Sequence, residues 1–186
     1  MKTNMIPVAA ALFLLCATCC KKDELEIFEP GDQAYGTMQA NKKVNWIGKE
    51  TWTASGSARR DNTQPDEFFQ ISGYTLDKLG QPREELGILK IPLAVGTYPV
   101  FKNRDDAQSR IWASYARLVS DGDVVGAGYR ANGSNNCITI DEIDTVLGIA
   151  KGSFRIVFSI SEEFDDTRFP DKVVFSNGTF DLKFRD

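Results

Sequence analysis

Lys172-Val173-Val174-Phe175-Ser176-Asn177-Gly178-Thr179-Phe180-Asp181-Leu182-Lys183-Phe184 places an alternating apolar run on each side of an Asn-Gly dipeptide. Asn and Gly tolerate the positive φ of a two-residue type I′ turn, so the stretch predicts a hairpin with Phe175 opposite Phe180 and Val173 opposite Leu182. Four apolar side chains then share one face, which calls for an antiparallel sheet with a buried side.

The same period of two runs outward through the chain. Arg110 to Ser120 and Asp123 to Arg130 flank Asp121-Gly122, a second type I′ signal. Gly36 to Trp46 pairs with Glu50 to Arg59 around Gly48, and Glu67 to Thr75 with Glu85 to Ile91. Pro92 and Pro99 bracket Gly96-Thr97-Tyr98, which belongs at a sheet edge because proline cannot donate to a ladder. Asn136 to Glu142 and the long run Val146 to Ile160 complete the set. After the first 20 residues no amphipathic helix of ten or more residues is visible. Residues 35–186 are expected to form an all-β domain, an antiparallel β-sandwich of about ten strands, with a closed antiparallel β-barrel as the alternative.

Composition narrows the chemistry. The 186 residues hold 22 Lys+Arg, 26 Asp+Glu, four Cys and no His, for a formal net charge of −4. Without imidazole, Ser-His-Asp and Cys-His catalysis and His-bearing zinc sites are excluded. The acidic balance disfavours nucleic acid and anionic lipid headgroups as partners. No cofactor, metal ligand set or catalytic residue is assigned.

The first 20 residues form a different kind of segment. Lys2 precedes an apolar run from Met5 to Leu15 that is too short to span a bilayer. Then come Cys16-Ala17-Thr18-Cys19-Cys20 and, at once, Lys21-Lys22-Asp23-Glu24. Small residues before a cysteine and charge directly after it resemble the signal and export sequence of Bacteroidota surface lipoproteins. That resemblance implies removal of residues 1–19 as a signal peptide, acylation of Cys20 and display on the outer face of the outer membrane. Cys19 is the alternative lipidation site. Removal of Lys2 takes the charge to 21 − 26 = −5. A diacylglyceryl modification, palmitate or a similar chain, is enough to anchor a protein without a transmembrane helix.

Residues 20–34 lack periodicity and read as the tether, about 14 residues that reach roughly 45 to 50 Å extended or about 20 Å as a coil. Cys137 is then the last free thiol, expected as a small buried hydrophobe on a strand. Gly96-Thr97-Tyr98, Gly152-Ser153-Phe154 and Gly178-Thr179-Phe180 repeat a glycine, a small hydroxyl and an aromatic. Together with Trp46 and Trp52 near the domain's start, they resemble the small β-rich domain, of uncharacterised function, of Bacteroidota lipoproteins. The resemblance carries no catalytic residue over.

One candidate ligand-binding surface follows from the Asp121-Gly122 turn. If Ser120 pairs with Asp123, Tyr115 opposes Gly128 and Arg117 opposes Gly126. Trp112, Ala116, Leu118, Val125, Ala127 and Tyr129 then face the core, and Tyr115, Arg117 and Arg130 share the outer face. There an aromatic ring beside guanidinium groups suits a sugar or a carboxylate. The plainer explanation is that Tyr115 covers a strand glycine. Carboxylates at Asp105-Asp106, Asp121 to Asp123, Asp141 to Asp144 and Glu162 to Asp166 are plentiful. They have no calcium-loop spacing, and hairpin ends attract solvated acids anyway. Three functions fit this sequence: a lipid-anchored binding module for a glycan or an envelope protein, an accessory subunit of an outer-membrane assembly, or a carboxylate-dependent hydrolase.

Overall fold

A computed structural model of the protein describes residues 35–44, 48–102, 110–119, 122–163 and 169–185. The expected signal peptide, Cys19, Cys20 and the tether lie outside the described residues, as do Trp46, Asp105, Asp106, Asp121, Asp165 and Asp166.

The protein is all-β, with ten strands: β1 (Gly36–Val44), β2 (Gly48–Arg60), β3 (Phe68–Leu76), β4 (Pro82–Pro92), β5 (Gly96–Pro99), β6 (Trp112–Val119), β7 (Val124–Ala131), β8 (Cys137–Asp144), β9 (Ile149–Glu163) and β10 (Lys172–Lys183). Every strand pairing is antiparallel, and the order is β10-β1-β2-β3-β4-β6-β7-β9-β8-β5 with β10 also paired to β9.

Two long strands organise this arrangement. The 13-residue β2 pairs with β1 through Gly48 to Ser55 and with β3 through Ser55 to Arg60. The 15-residue β9 pairs with β8 through Ile149 to Arg155 and with β7 through Phe158 to Glu163. All ten strands therefore belong to one hydrogen-bonded sheet, in which β2 and β9 each exchange partners along their length and the β10–β9 pairing brings β9 beside β10. The short β5, bounded by the two prolines, is the edge expected of it.

The inner faces meet in an aromatic core. Tyr115 of β6 lies 5.2 Å from Phe175 of β10, and Phe175 is also edge-on to Trp52 and Phe158. Such edge contacts contribute about 0.5 to 1.5 kcal/mol each beyond area burial. The Gly-hydroxyl-aromatic triplets explain part of the packing. Gly178 pairs with Phe154, Thr179 with Ser153 and Phe180 with Gly152, so two triplets run antiparallel to each other. Each phenyl ring fills the space over the other triplet's glycine; a Cβ on Gly152 or Gly178 would stand 2.6 Å from that ring.

The hairpin expected at Asn177-Gly178 does not form. Residues 172–183 are one strand, bonded to β1 on one side and β9 on the other. Asn177 has φ 50°, and both ladders shift register there. The dipeptide's ease with positive φ is used for a bulge instead of a reversal. The bulge also changes which parity points inward: Val173 and Phe175 before it, Phe180 and Leu182 after it, all four buried. The apolar set was read correctly, but the cause of its shared face is different.

A buried amide fills the place where β9 exchanges partners. β7 ends opposite Phe158 and β8 begins opposite Arg155, leaving Val157 between the two ladders. The Asn136 side chain takes the missing strand's role. Its Oδ1 accepts from the Val157 N–H at 2.9 Å, and its Nδ2 donates to the Val157 carbonyl. Asn136 is buried, while the neighbouring Cys137, expected to be buried, is only half-buried.

Candidate functional site

The three residues placed on one surface by the sequence are dispersed by a one-residue shift. Next to the turn, Leu118 pairs with Val125, as the type I′ register requires, but the ladder slips between Arg117 and Leu118. Beyond the slip Tyr115 opposes Tyr129 and Arg117 opposes Ala127, not Gly128 and Gly126. A slip of one residue inverts every side chain beyond it. Tyr115 is 2% exposed and belongs to the core, while Trp112 and Ala116, assigned inward, are only partly buried. Ala127 and Tyr129 do face inward. The aromatic shelf on the outer face is therefore withdrawn.

Tyr115 takes part in a polar group inside the fold. Lys42, from β1, reaches Glu84 of β4 at 2.5 Å and Glu50 of β2 at 2.7 Å. Lys42 and Glu84 are both more than nine-tenths buried. Burial, and next the Glu84 charge, hold the Tyr115 phenol well above its ordinary pKa, so it remains a neutral donor to Glu84. Arg117 is also turned to this end of the interior, with its guanidinium 5.7 Å from the Phe169 ring centre. All of these charges have partners, so the arrangement ties β1, β2, β4 and β6 together.

Arg130 is the one residue of the three that faces solvent. It lines a groove of about 380 Å³ with Lys102, Ala131, Asn132, Ser159, Ile160 and Ser161. Asn132 donates to the Ser159 hydroxyl at 3.0 Å, and Ser161 donates to the Gly128 carbonyl at 3.0 Å, which fixes the walls. Glu162 stands 3.6 Å from Arg130, with both side chains about half exposed. A pair so open to water is weak, leaving Arg130 able to turn towards an anion. The result is two cationic groups beside hydroxyl and amide donors, a set suited to a sugar bearing a carboxylate.

A further groove, about 470 Å³, is lined by Arg59, Arg60, Asp61, Asn62, Pro65, Phe184 and Arg185. Arg60 donates to the Pro65 carbonyl at 3.0 Å and lies 5.9 Å from the Phe184 ring centre. Arg185 lies 5.5 Å from the Tyr35 ring centre, and its N–H donates to the Ala58 carbonyl. Asp61 supplies the groove's carboxylate, and Lys90 holds it at 3.1 Å. Burial opposes its ionisation, but hydrogen bonds from Thr63, Lys90 and Gln64 win and bring its pKa to about 2. The sequence hid this groove because its arginines come from places 125 residues apart, brought together where Ala58 bridges Phe184 and the Arg60 guanidinium lies over the Phe184 ring.

Among the described residues no three His, Cys, Asp or Glu side chains gather to hold a metal ion. Fold and grooves together define an antiparallel ten-stranded domain with open polar recesses on its surface. No family model, curated protein or solved structure matches the chain.

Proposed function

We propose that the protein is a lipid-anchored component of the cell envelope, attached to the outer membrane through Cys20 and displayed on its surface, that works as a non-catalytic binding module. Its ligand is a soluble acidic glycan, and the groove around Lys102 and Arg130 receives it. The supporting observation is that groove's composition: two cations with Asn132, Ser159 and Ser161 on walls held by internal hydrogen bonds. The anchoring half of the reading rests on the residues around Cys20 and on their resemblance to Bacteroidota surface lipoproteins.

Binding of uronic-acid oligosaccharides and their neutral counterparts to the mature protein, followed by calorimetry, tests the recognition half. Acidic oligosaccharides should bind, and Arg130→Glu with Lys102→Glu should lower affinity at least about tenfold at unchanged melting temperature. Equal binding of neutral sugars, or an affinity untouched by the charge reversal, overturns it. Intact-mass analysis of the N-terminus with protease shaving of whole cells tests the other half. A chain without fatty acid, or one that resists shaving, counts against the anchor or the display respectively.

A further inference from the structure

The arginine groove lies where the chain enters the domain. Gly36 pairs with Leu182, and Arg185 covers Tyr35, so Arg185 sits beside the first described residue. The turn between β8 and β9 is at the same end: Lys183 pairs with Ile149, and the Phe184 N–H donates to the Gly148 carbonyl at 2.8 Å. That turn carries Val146 and Leu147, 92% and 70% exposed. Their N–H groups both donate to Asp144 Oδ1 at 2.8 Å, which fixes the turn with its two apolar side chains in solvent. Although the net charge of the chain is negative, one end of the molecule thus combines an apolar tip, a groove lined by Arg59, Arg60 and Arg185, and the attachment point of residues 20–34.

We infer that this end docks on an anionic lipid surface, with Val146 and Leu147 entering the headgroup layer and Arg59, Arg60 and Arg185 receiving a lipid phosphate. The inference rests on the anchoring half of the proposed function, which holds the domain within about 20 to 50 Å of the bilayer. Apolar side chains that enter the interface beside cations that meet phosphate are how a surface is gripped without being crossed. Of the carboxylates at this end, Asp61 is held by Lys90 and Asp144 by the turn's own amides, while Glu85 stands beside Tyr74, which also feels the Arg185 charge. Asp66 and Glu67 lie further along the loop between β2 and β3. Docking gives the domain a fixed orientation that a flexible tether does not supply. It also separates the two grooves: Ser159 and Ser161 lie ten and twelve residues along β9 from Ile149, at the other end of that strand. The Arg130 groove is therefore held away from the membrane and open to a soluble ligand.

The test is hydrogen exchange on the mature protein reconstituted into vesicles of phosphatidylethanolamine alone or with about 30 mol% phosphatidylglycerol. Peptides covering residues 58–65, 144–149 and 183–185 should exchange about tenfold more slowly on the anionic vesicles. The combined Arg59→Glu, Arg60→Glu and Arg185→Glu variant should remove that difference, as should Val146→Ser with Leu147→Ser, while peptides from β6 and β7 keep their rates. Equal exchange on the two vesicle types, for protein bound to both, overturns the docking and leaves the anchor standing. Protein lost from neutral vesicles but protected on anionic ones overturns the anchor and supports the docking. Inorganic phosphate in solution forms a third arm; full protection by it without vesicles would make free phosphate the ligand and overturn the lipid assignment.

Discussion

Lys42 and Arg130 are both cations on β-strands with a carboxylate beside them, and they do opposite work. Lys42 is buried with Glu84, so its charge is spent on holding β1 to β4 across the interior. Arg130 and Glu162 are half exposed and 3.6 Å apart, so water already satisfies most of what either needs. The difference teaches where function has room in this protein. An inward-facing polar group cannot be released without exposing a buried partner, whereas an outward-facing one changes partners at small cost.

The sharpest way to break the contrast is to remove one member of the buried pair. Lys42→Met leaves Glu84 charged in the interior without a cation, with only the Tyr115 phenol as donor, and should cost about 3 to 5 kcal/mol in chemical denaturation. Adding Glu84→Leu to Lys42→Met should recover most of that loss, because two apolar side chains of fitting size replace a pair whose desolvation was expensive. A double variant as unstable as the single one would show that the pair's geometry, not its charge balance, matters. Asn136→Leu comes next. It leaves the Val157 N–H without an acceptor where β9 changes partners, at a cost of about 2 to 3 kcal/mol. Faster amide exchange at Val157 than at Phe158 would mark the lesion.

These two features also show how far the sequence could be read. Strand positions, the edge at β5 and the absence of helices among the described residues follow from period-two alternation and proline placement, which are local properties. The inward face of β10 was legible too, because Phe175, Phe180 and Leu182 have nowhere else to go. What a dipeptide does was not. Asn177-Gly178 supports a turn or a bulge equally well, and the presence of β1 and β9 on its two flanks decides between them. The same limit displaced Tyr115: its parity depends on a slip at Arg117 that no residue announces. Asn136 reads only as the first residue of a strand, because the role of its side chain is defined by a change of partners along β9. Of the candidate site, only Arg130 kept its outward position, and the arginines of the second groove are brought together by pairing across the whole domain.

A pH titration probes the buried side of the comparison more gently. Asp61 has a folded pKa of about 2 against an ordinary 3.8. A depressed carboxyl pKa contributes stability that is present above about pH 4 and lost as pH falls towards 2, here about 2 kcal/mol. Lys90→Met should shrink that acid-side loss, since the Lys90 hydrogen bond to Asp61 is one of its causes. An unchanged acid limb would assign the shift to the Thr63 and Gln64 hydrogen bonds alone.

The smallest expected effect on stability belongs to Arg130→Glu, and that is its value. Two acids then face each other at 52% to 56% exposure, where water and salt screen most of the repulsion, so the change should stay within about 0.5 kcal/mol. Affinity for an acidic sugar should fall in the same variant, because the groove loses a cation and gains an anion. Stability and binding would then have come apart at one residue. Were Arg130→Glu to unfold the protein as Lys42→Met does, the groove would be part of the scaffold, and the division between an interior that spends its charges and a surface that keeps them free would not hold.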